Sequence, residues 1–98
     1  MRPRYSAYVT TWMRFYTKYR TPVFRSDEDR LNWQTCDIAL SSLGEDDRKT
    51  VLSVYCGNGR TMNENVGRVA KVLRQPPSTV WKLIRTFEQR VARSRGFK

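Results

Sequence analysis

The sequence contains no histidine, so the side chain that most often moves a proton near neutral pH is missing. Cysteine is scarce: Cys36 and Cys56 are the only two, too few for the usual structural zinc set when no histidine can join them. Both are expected to act as small buried apolar filler rather than as a redox pair. No apolar run is long enough to span a bilayer and no secretory leader pattern opens the chain, which makes a reduced cytoplasm the expected home and a membrane an unexpected partner. Acids are also few. Most of the 9 fall in two triplets, Asp27, Glu28 and Asp29 after Ser26, and Glu45, Asp46 and Asp47 after Gly44. So placed, they complement the positive end of a helix dipole better than they flank a reacting atom. Catalysis is therefore disfavoured, and no cofactor or metal ion is expected.

What the chain has in excess is positive charge. Its 98 residues, enough for a single domain spanning 1–98, hold 19 Lys and Arg and carry a net +10. Such a chain is attracted to polyanions, and each phosphate neutralised on duplex DNA steepens the salt dependence by roughly 0.9 in log–log slope. The charge is unevenly placed: residues 1–25 carry +6, residues 26–59 carry −4 and residues 60–98 carry +8. The C-terminal third is thus the most basic, and the acidic middle is expected to face a basic surface or to balance the first helix.

The hydrophobic pattern predicts an all-α fold of about five helices. Tyr5, Tyr8, Val9, Trp12, Phe15, Tyr16 and Tyr19 recur at helical spacing over residues 5–20, with Arg14 and Lys18 on the far side. This aromatic stripe is expected to pack onto the rest of the domain; its other use would be as a homodimer surface. Thr21, Pro22 and Val23 break that helix, and Ser26 with Asp29 opens the next as a capping box. The second helix, about 27–43, has Leu31 and Ile38 on one side and Trp33, Cys36, Leu40 and Leu43 on another, so it is expected to be covered on two sides. A third helix from Glu45 to Tyr55 buries Val51, Leu52 and Tyr55, and Gly57 with Gly59 is expected to supply a left-handed ending. Thr61 and Glu64 open a fourth helix whose inner stripe is Val66, Val69, Ala70 and Leu73. The tail from Arg93 to Lys98 is expected to fray.

Pro76 and Pro77 end that helix and start a fifth, since proline has no amide hydrogen to lose in a first turn. Here Val80, Ile84, Phe87 and Val91, at offsets of 4, 7 and 11, share one face. Ser78, Lys82, Arg85 and Gln89 share the opposite one. A helix docked by one side with short polar and cationic residues on the other suits a DNA major groove. Residues 61–93 accordingly read as a helix-turn-helix in which Ala70, Leu73 and Val80 lie at the crossing. The bundle of 27–98 carries that unit in its C-terminal half, behind the extra N-terminal aromatic helix.

From Ala39 to Gly96 the chain resembles the region 4 domain of bacterial sigma factors. The likeness rests on Leu43, the acidic turn Glu45 to Asp47 and Arg48, then Ala70, Leu73, Thr79 and Val80 at the family's spacing, and it spans about 58 of 98 residues. The sequence departs at Arg74, where the family generally has glycine, at Pro76, where a serine often caps the recognition helix, and at Leu83, where a basic residue is common. No segment is long enough to be the domain with which sigma factors melt a promoter, so a complete sigma factor is not implied.

The resemblance implies a small transcription regulator of bacterial or phage type that reads double-stranded DNA at a promoter. Ser78, Thr79, Lys82 and Arg85 are the expected base contacts, with Arg85 matched to guanine. Arg68, Lys71, Arg74, Gln89 and Arg90 are the expected phosphate contacts. Trp81 is expected to cover the core edge rather than wedge against DNA. The alternative is an adaptor that binds RNA polymerase, as region 4 domains do, and touches DNA only nonspecifically.

Overall fold

The computed structural model describes residues 3–18, 23–57 and 61–96. Over these the chain is all-helical: α1 (Tyr5–Lys18), α2 (Asp27–Ser41), α3 (Glu45–Tyr55), α4 (Met62–Leu73) and α5 (Pro77–Ser94). None of these helices is long and apolar enough to cross a membrane. Tyr19, the 21–22 break, Gly59 and the tail residues Phe97 and Lys98 lie outside the described residues.

Each boundary has a local cause. The Ser26 hydroxyl oxygen accepts from the Asp29 amide at 3.1 Å and the Thr61 oxygen from the Glu64 amide at 3.2 Å, satisfying one orphan donor at the start of α2 and one at the start of α4. Gly44 precedes α3 without a side-chain cap, and the acids Glu45, Asp46 and Asp47 occupy the first turn. At α5 the N-cap is Pro76 (φ −62°, ψ 144°) and Pro77 takes the first helical position, where its fixed φ suits the helix.

The end of α4 is a Schellman motif built around an arginine. Arg74 takes the left-handed conformation (φ 57°, ψ 43°). Its amide donates to the Lys71 carbonyl at 3.2 Å, and the Gln75 amide reaches back to the Ala70 carbonyl at 3.0 Å. An L side chain at this φ is held against its local preference, at a cost of roughly 1–2 kcal/mol.

The core is one cluster, and α5 runs through it, packing against each of the other four helices. Val80, Ile84, Phe87 and Val91 are all buried, as their spacing requires. From α1 come Val9 and Met13, and Tyr5, Trp12 and Tyr16 pack around them, so the inner face of the aromatic helix is spent on the domain itself. Tyr8 remains 53% exposed beside Trp12, the ring centroids 6.3 Å apart. A second aromatic group forms where Trp33 meets Tyr16 (5.0 Å) and Phe24 (5.9 Å).

Five sequence expectations are corrected. Helix α2 is covered on one side only: Cys36, Ala39 and Leu40 are buried, while Leu31 and Ile38 lie exposed, because α1 and α5 approach the same flank. Cys56 is exposed, since it is the C-cap of α3 and sits past the last buried turn; only Cys36 is filler. In α3 the fully buried valines are Val51 and Val54, and Leu52 is only partly covered. Leu73 is 42% exposed because α4 ends as it passes α5.

Gly57, finally, does not provide a left-handed ending, as Cys56 closes α3 in right-handed geometry and Gly57 has no positive φ. It is small for another reason. A Cβ there would overlap the Asn65 Oδ1 and lie 2.6 Å from the Arg68 Nη2, so glycine permits α4 to close against the end of α3.

Candidate nucleic-acid interface

Along α5 the side chains sort cleanly by angle. With Val80, Ile84, Phe87, Glu88 and Val91 turned into the core, the opposite stripe of Ser78, Lys82, Arg85 and Gln89 is exposed along its full length. Thr79 borders that stripe on one flank. No neighbouring helix covers Lys82 or Arg85, and both cations are presented on a helix whose inner side is anchored at four apolar points. No side chain caps the α5 start; Pro77 carries no amide hydrogen and the Thr79 amide donates to the Pro76 carbonyl at 3.0 Å, which leaves the Ser78 amide as the first-turn donor suited to a phosphate oxygen.

Two residues on this surface were not among the sequence candidates. Thr86 and Arg93 are exposed and lie 4 and 11 positions beyond Lys82, on the same stripe. The offsets that single out Gln89 from Lys82 also reach them, so the signal was present. Thr86 donates its hydroxyl to the Lys82 carbonyl at 3.0 Å, which fixes its rotamer against the helix.

The phosphate candidates are all exposed but do not form one group. Lys71 and Arg74 sit at the end of α4, next to the Gln75–Pro76 break that leads into α5. Arg68 turns toward α3, where its Nη2 donates to the Ser53 carbonyl at 2.9 Å. Arg90 reaches the turn after α2, its Nη1 donating to the Ser42 hydroxyl at 2.6 Å. These two arginines therefore tie helices together as well as carrying charge.

Two clefts flank the stripe. One, of about 510 Å³, lies between α3, α4 and the start of α5, lined by Val69, Val72, Leu73, Val80 and Leu83 with Asp46 at its rim. Val72 is 75% exposed there, and Leu83, at the position where the resembling family favours a cation, packs partly on the core. The other, of about 500 Å³, lies between the start of α1, the start of α4 and the middle of α5. Tyr5, Ser6, Asn63, Trp81, Arg85 and Glu88 line it. Trp81 packs partly on the core cluster, as expected, while its ring also walls this cleft.

The floor of the second cleft is polar and tightly tied. Glu88, 1% exposed, accepts from the Ser6 hydroxyl at 2.8 Å and from the Tyr55 hydroxyl at 2.6 Å. One carboxyl thus joins α1, α3 and α5 behind the exposed stripe. Away from this surface, burial and then the nearby Asp37 charge push the Cys36 thiol up to about 12. Burial likewise raises the Tyr16 phenol, whose hydroxyl donates to Asp37 Oδ1 at 2.7 Å.

Among the described residues, no group of three or more Cys, Asp or Glu is arranged to hold a metal ion. Compared with known protein families, curated proteins and solved structures, the chain matches none. Any functional assignment therefore rests on the chemistry of these surfaces.

Proposed function

We propose that this domain binds double-stranded DNA through the outward stripe of α5 and acts as a transcription regulator at promoters in the cytoplasm. The observation that carries the proposal is the uncovered row Ser78, Lys82, Arg85 and Gln89 on a helix whose other side is locked into the core. Rigidity matters here because a pre-positioned helix loses little conformational freedom when it enters a groove. Arg85 supplies a planar fork suited to guanine O6 and N7, Lys82 a cation for guanine or phosphate, and Ser78 and Thr79 short hydroxyls at the helix start. Lys71, Arg74 and Arg93 extend positive charge to either side, where backbone phosphates would set orientation without reading sequence. The sequence likeness to sigma region 4 favours the same use of this helix.

Selection of bound duplexes from a random library tests the proposal. An enriched consensus is expected, together with binding that weakens steeply with salt and falls at least about tenfold in the double variant Lys82→Ala, Arg85→Ala. Equal affinity for all sequences, unchanged by that double variant, would remove the assignment.

The apolar groove beside the α4 end favours a second reading, an adaptor for RNA polymerase. Val72 and Leu73, both exposed, line this groove and present apolar surface there. Co-purification with polymerase, lost on Val72→Asp and accompanied by duplex binding without sequence preference, would replace the first reading with this one.

A further inference from the structure

The outer side of α2 keeps two large apolar side chains in solvent. Leu31 is 47% exposed and Ile38 70%, and at two helical turns apart they lie within about 20° of each other around the helix, in one stripe. Charge brackets that stripe. Asp27 stands one turn before Leu31, and Ser42 one turn after Ile38, where the Arg90 guanidinium arrives from α5 and donates to the Ser42 hydroxyl at 2.6 Å. Asp27 and Arg90 are both exposed. Along the helix the order is therefore acid, apolar, apolar, cation, and the two pairs, Leu31 with Ile38 and Asp27 with Ser42, are both centred between Gln34 and Thr35. A two-fold axis through that centre, relating two antiparallel α2 helices, sets each Leu31 against the Ile38 of the other copy. The same axis brings each Asp27 to the other copy's Ser42, and so to its Arg90. Such self-complementarity is what an isologous interface requires.

We infer that two copies of this chain associate through α2, antiparallel about a two-fold axis between Gln34 and Thr35, with Leu31 packed on Ile38 and Asp27 paired with Arg90 across the interface. A second copy fits this face better than a nucleic acid does, because Asp27 and Glu28 would meet phosphates at its leading end. The contact is small: α2 runs for about 22 Å and a helix is about 10 Å wide, short of the roughly 800 Å² per partner of a standard interface. Pairing is accordingly weak and rises with concentration. It uses neither Lys82 nor Arg85, so it does not rest on duplex reading.

Sedimentation equilibrium of the intact chain, without nucleic acid, tests the inference at loadings up to about 1 mM. The wild type is expected to move from the mass of one chain toward that of two, with half of the chains paired at or below about 1 mM. Ile38→Asp, at an exposed position, should keep the mass of one chain while its helical circular dichroism and Tm stay those of the dilute wild type. The decisive arm exchanges the charges. Asp27→Arg and Arg90→Glu, each alone, set like charges together at both ends of the pair, and each should remain a single chain. Mixed in equal amounts they should pair, because the hybrid restores opposite charges at both ends; a role for either residue within its own chain would not produce that rescue. A wild type of single-chain mass throughout, an Ile38→Asp variant that pairs as the wild type does, or a mixture no more associated than its two components would overturn the inference and leave the α5 stripe untouched.

Discussion

Tyr55 and Glu88, 33 positions apart in sequence, meet in the core, the phenol hydroxyl donating to Glu88 Oε2 at 2.6 Å. Ser6 donates to the other oxygen, and the Tyr55 ring lies 6.1 Å from that of Phe87. A buried carboxyl is retained only where donors compensate its lost hydration. Here the donors come from α1 and α3 and the acceptor from α5, so the contact specifies how α1, α3 and α5 assemble.

Tyr55→Phe removes one of these donors and keeps the ring. Urea unfolding is expected to show a loss of about 1–3 kcal/mol. Glu88→Leu leaves the Ser6 and Tyr55 hydroxyls short of this acceptor and is expected to cost at least as much, although leucine is more hydrophobic.

Arg74 sits at a φ of 57°, a conformation that glycine adopts without steric cost. Arg74→Gly should raise stability by up to about 1 kcal/mol, or roughly 4–8 °C in Tm for a domain of this size, and Arg74→Val should lower it. Differential scanning calorimetry of the two variants checks the sign. If Arg74 also touches a phosphate, the glycine variant is more stable yet binds duplex with a salt slope smaller by about 0.9.

Arg93→Ala should weaken duplex binding uniformly across sequences and reduce the salt slope by about 0.9. Arg85→Ala should cost about 1–3 kcal/mol on the selected site and relax preference at one base pair. Gel-shift titrations at several salt concentrations distinguish the two behaviours.

The two cysteines should differ in reactivity. An aromatic disulfide reagent is expected to consume Cys56 promptly and Cys36 only as the fold opens, since Cys36 is fully buried and its thiol is held up to about 12. The same shift sets a pH dependence. Above about pH 9 the unfolded chain surrenders the Cys36 proton while the folded chain keeps it up to about 12, so stability falls with rising pH across that window, by at most about 1.4 kcal/mol per pH unit for this group. The raised Tyr16 phenol acts in the same direction above its ordinary value of 10. Urea midpoints measured from pH 8 upward should decline, and Cys36→Ala should flatten the profile.

Much of the helical layout was legible because it is written locally. Ser26, Thr61 and Pro77 announce three helix starts through their own hydrogen-bonding or ring geometry, and the 4, 7, 11 spacing from Val80 fixes the inner face of α5. What spacing cannot tell is which neighbour arrives. Leu31 and Ile38 share a stripe as good as many buried ones, yet α1 and α5 settle on the opposite flank. Gly57 looked like a turn residue, whereas its smallness serves Asn65 and Arg68, which approach from the next helix. The exposed cations of the candidate interface were readable for the same reason as the core of α5, being its complement. The second cleft was not, because Tyr5, Asn63 and Glu88 come together only after the chain has folded back over more than 80 positions.

Because α5 touches every other helix, the element that would grip a partner is also the one around which the domain closes. A binding partner clamped on its outer row would slow the opening of the entire molecule, and amide hydrogens deep in α1 and α3 would exchange more slowly although nothing contacts them. Conversely, a substitution on the inner side of α5, such as Phe87→Ala, would abolish recognition by collapsing its platform, with every outward group still in the sequence.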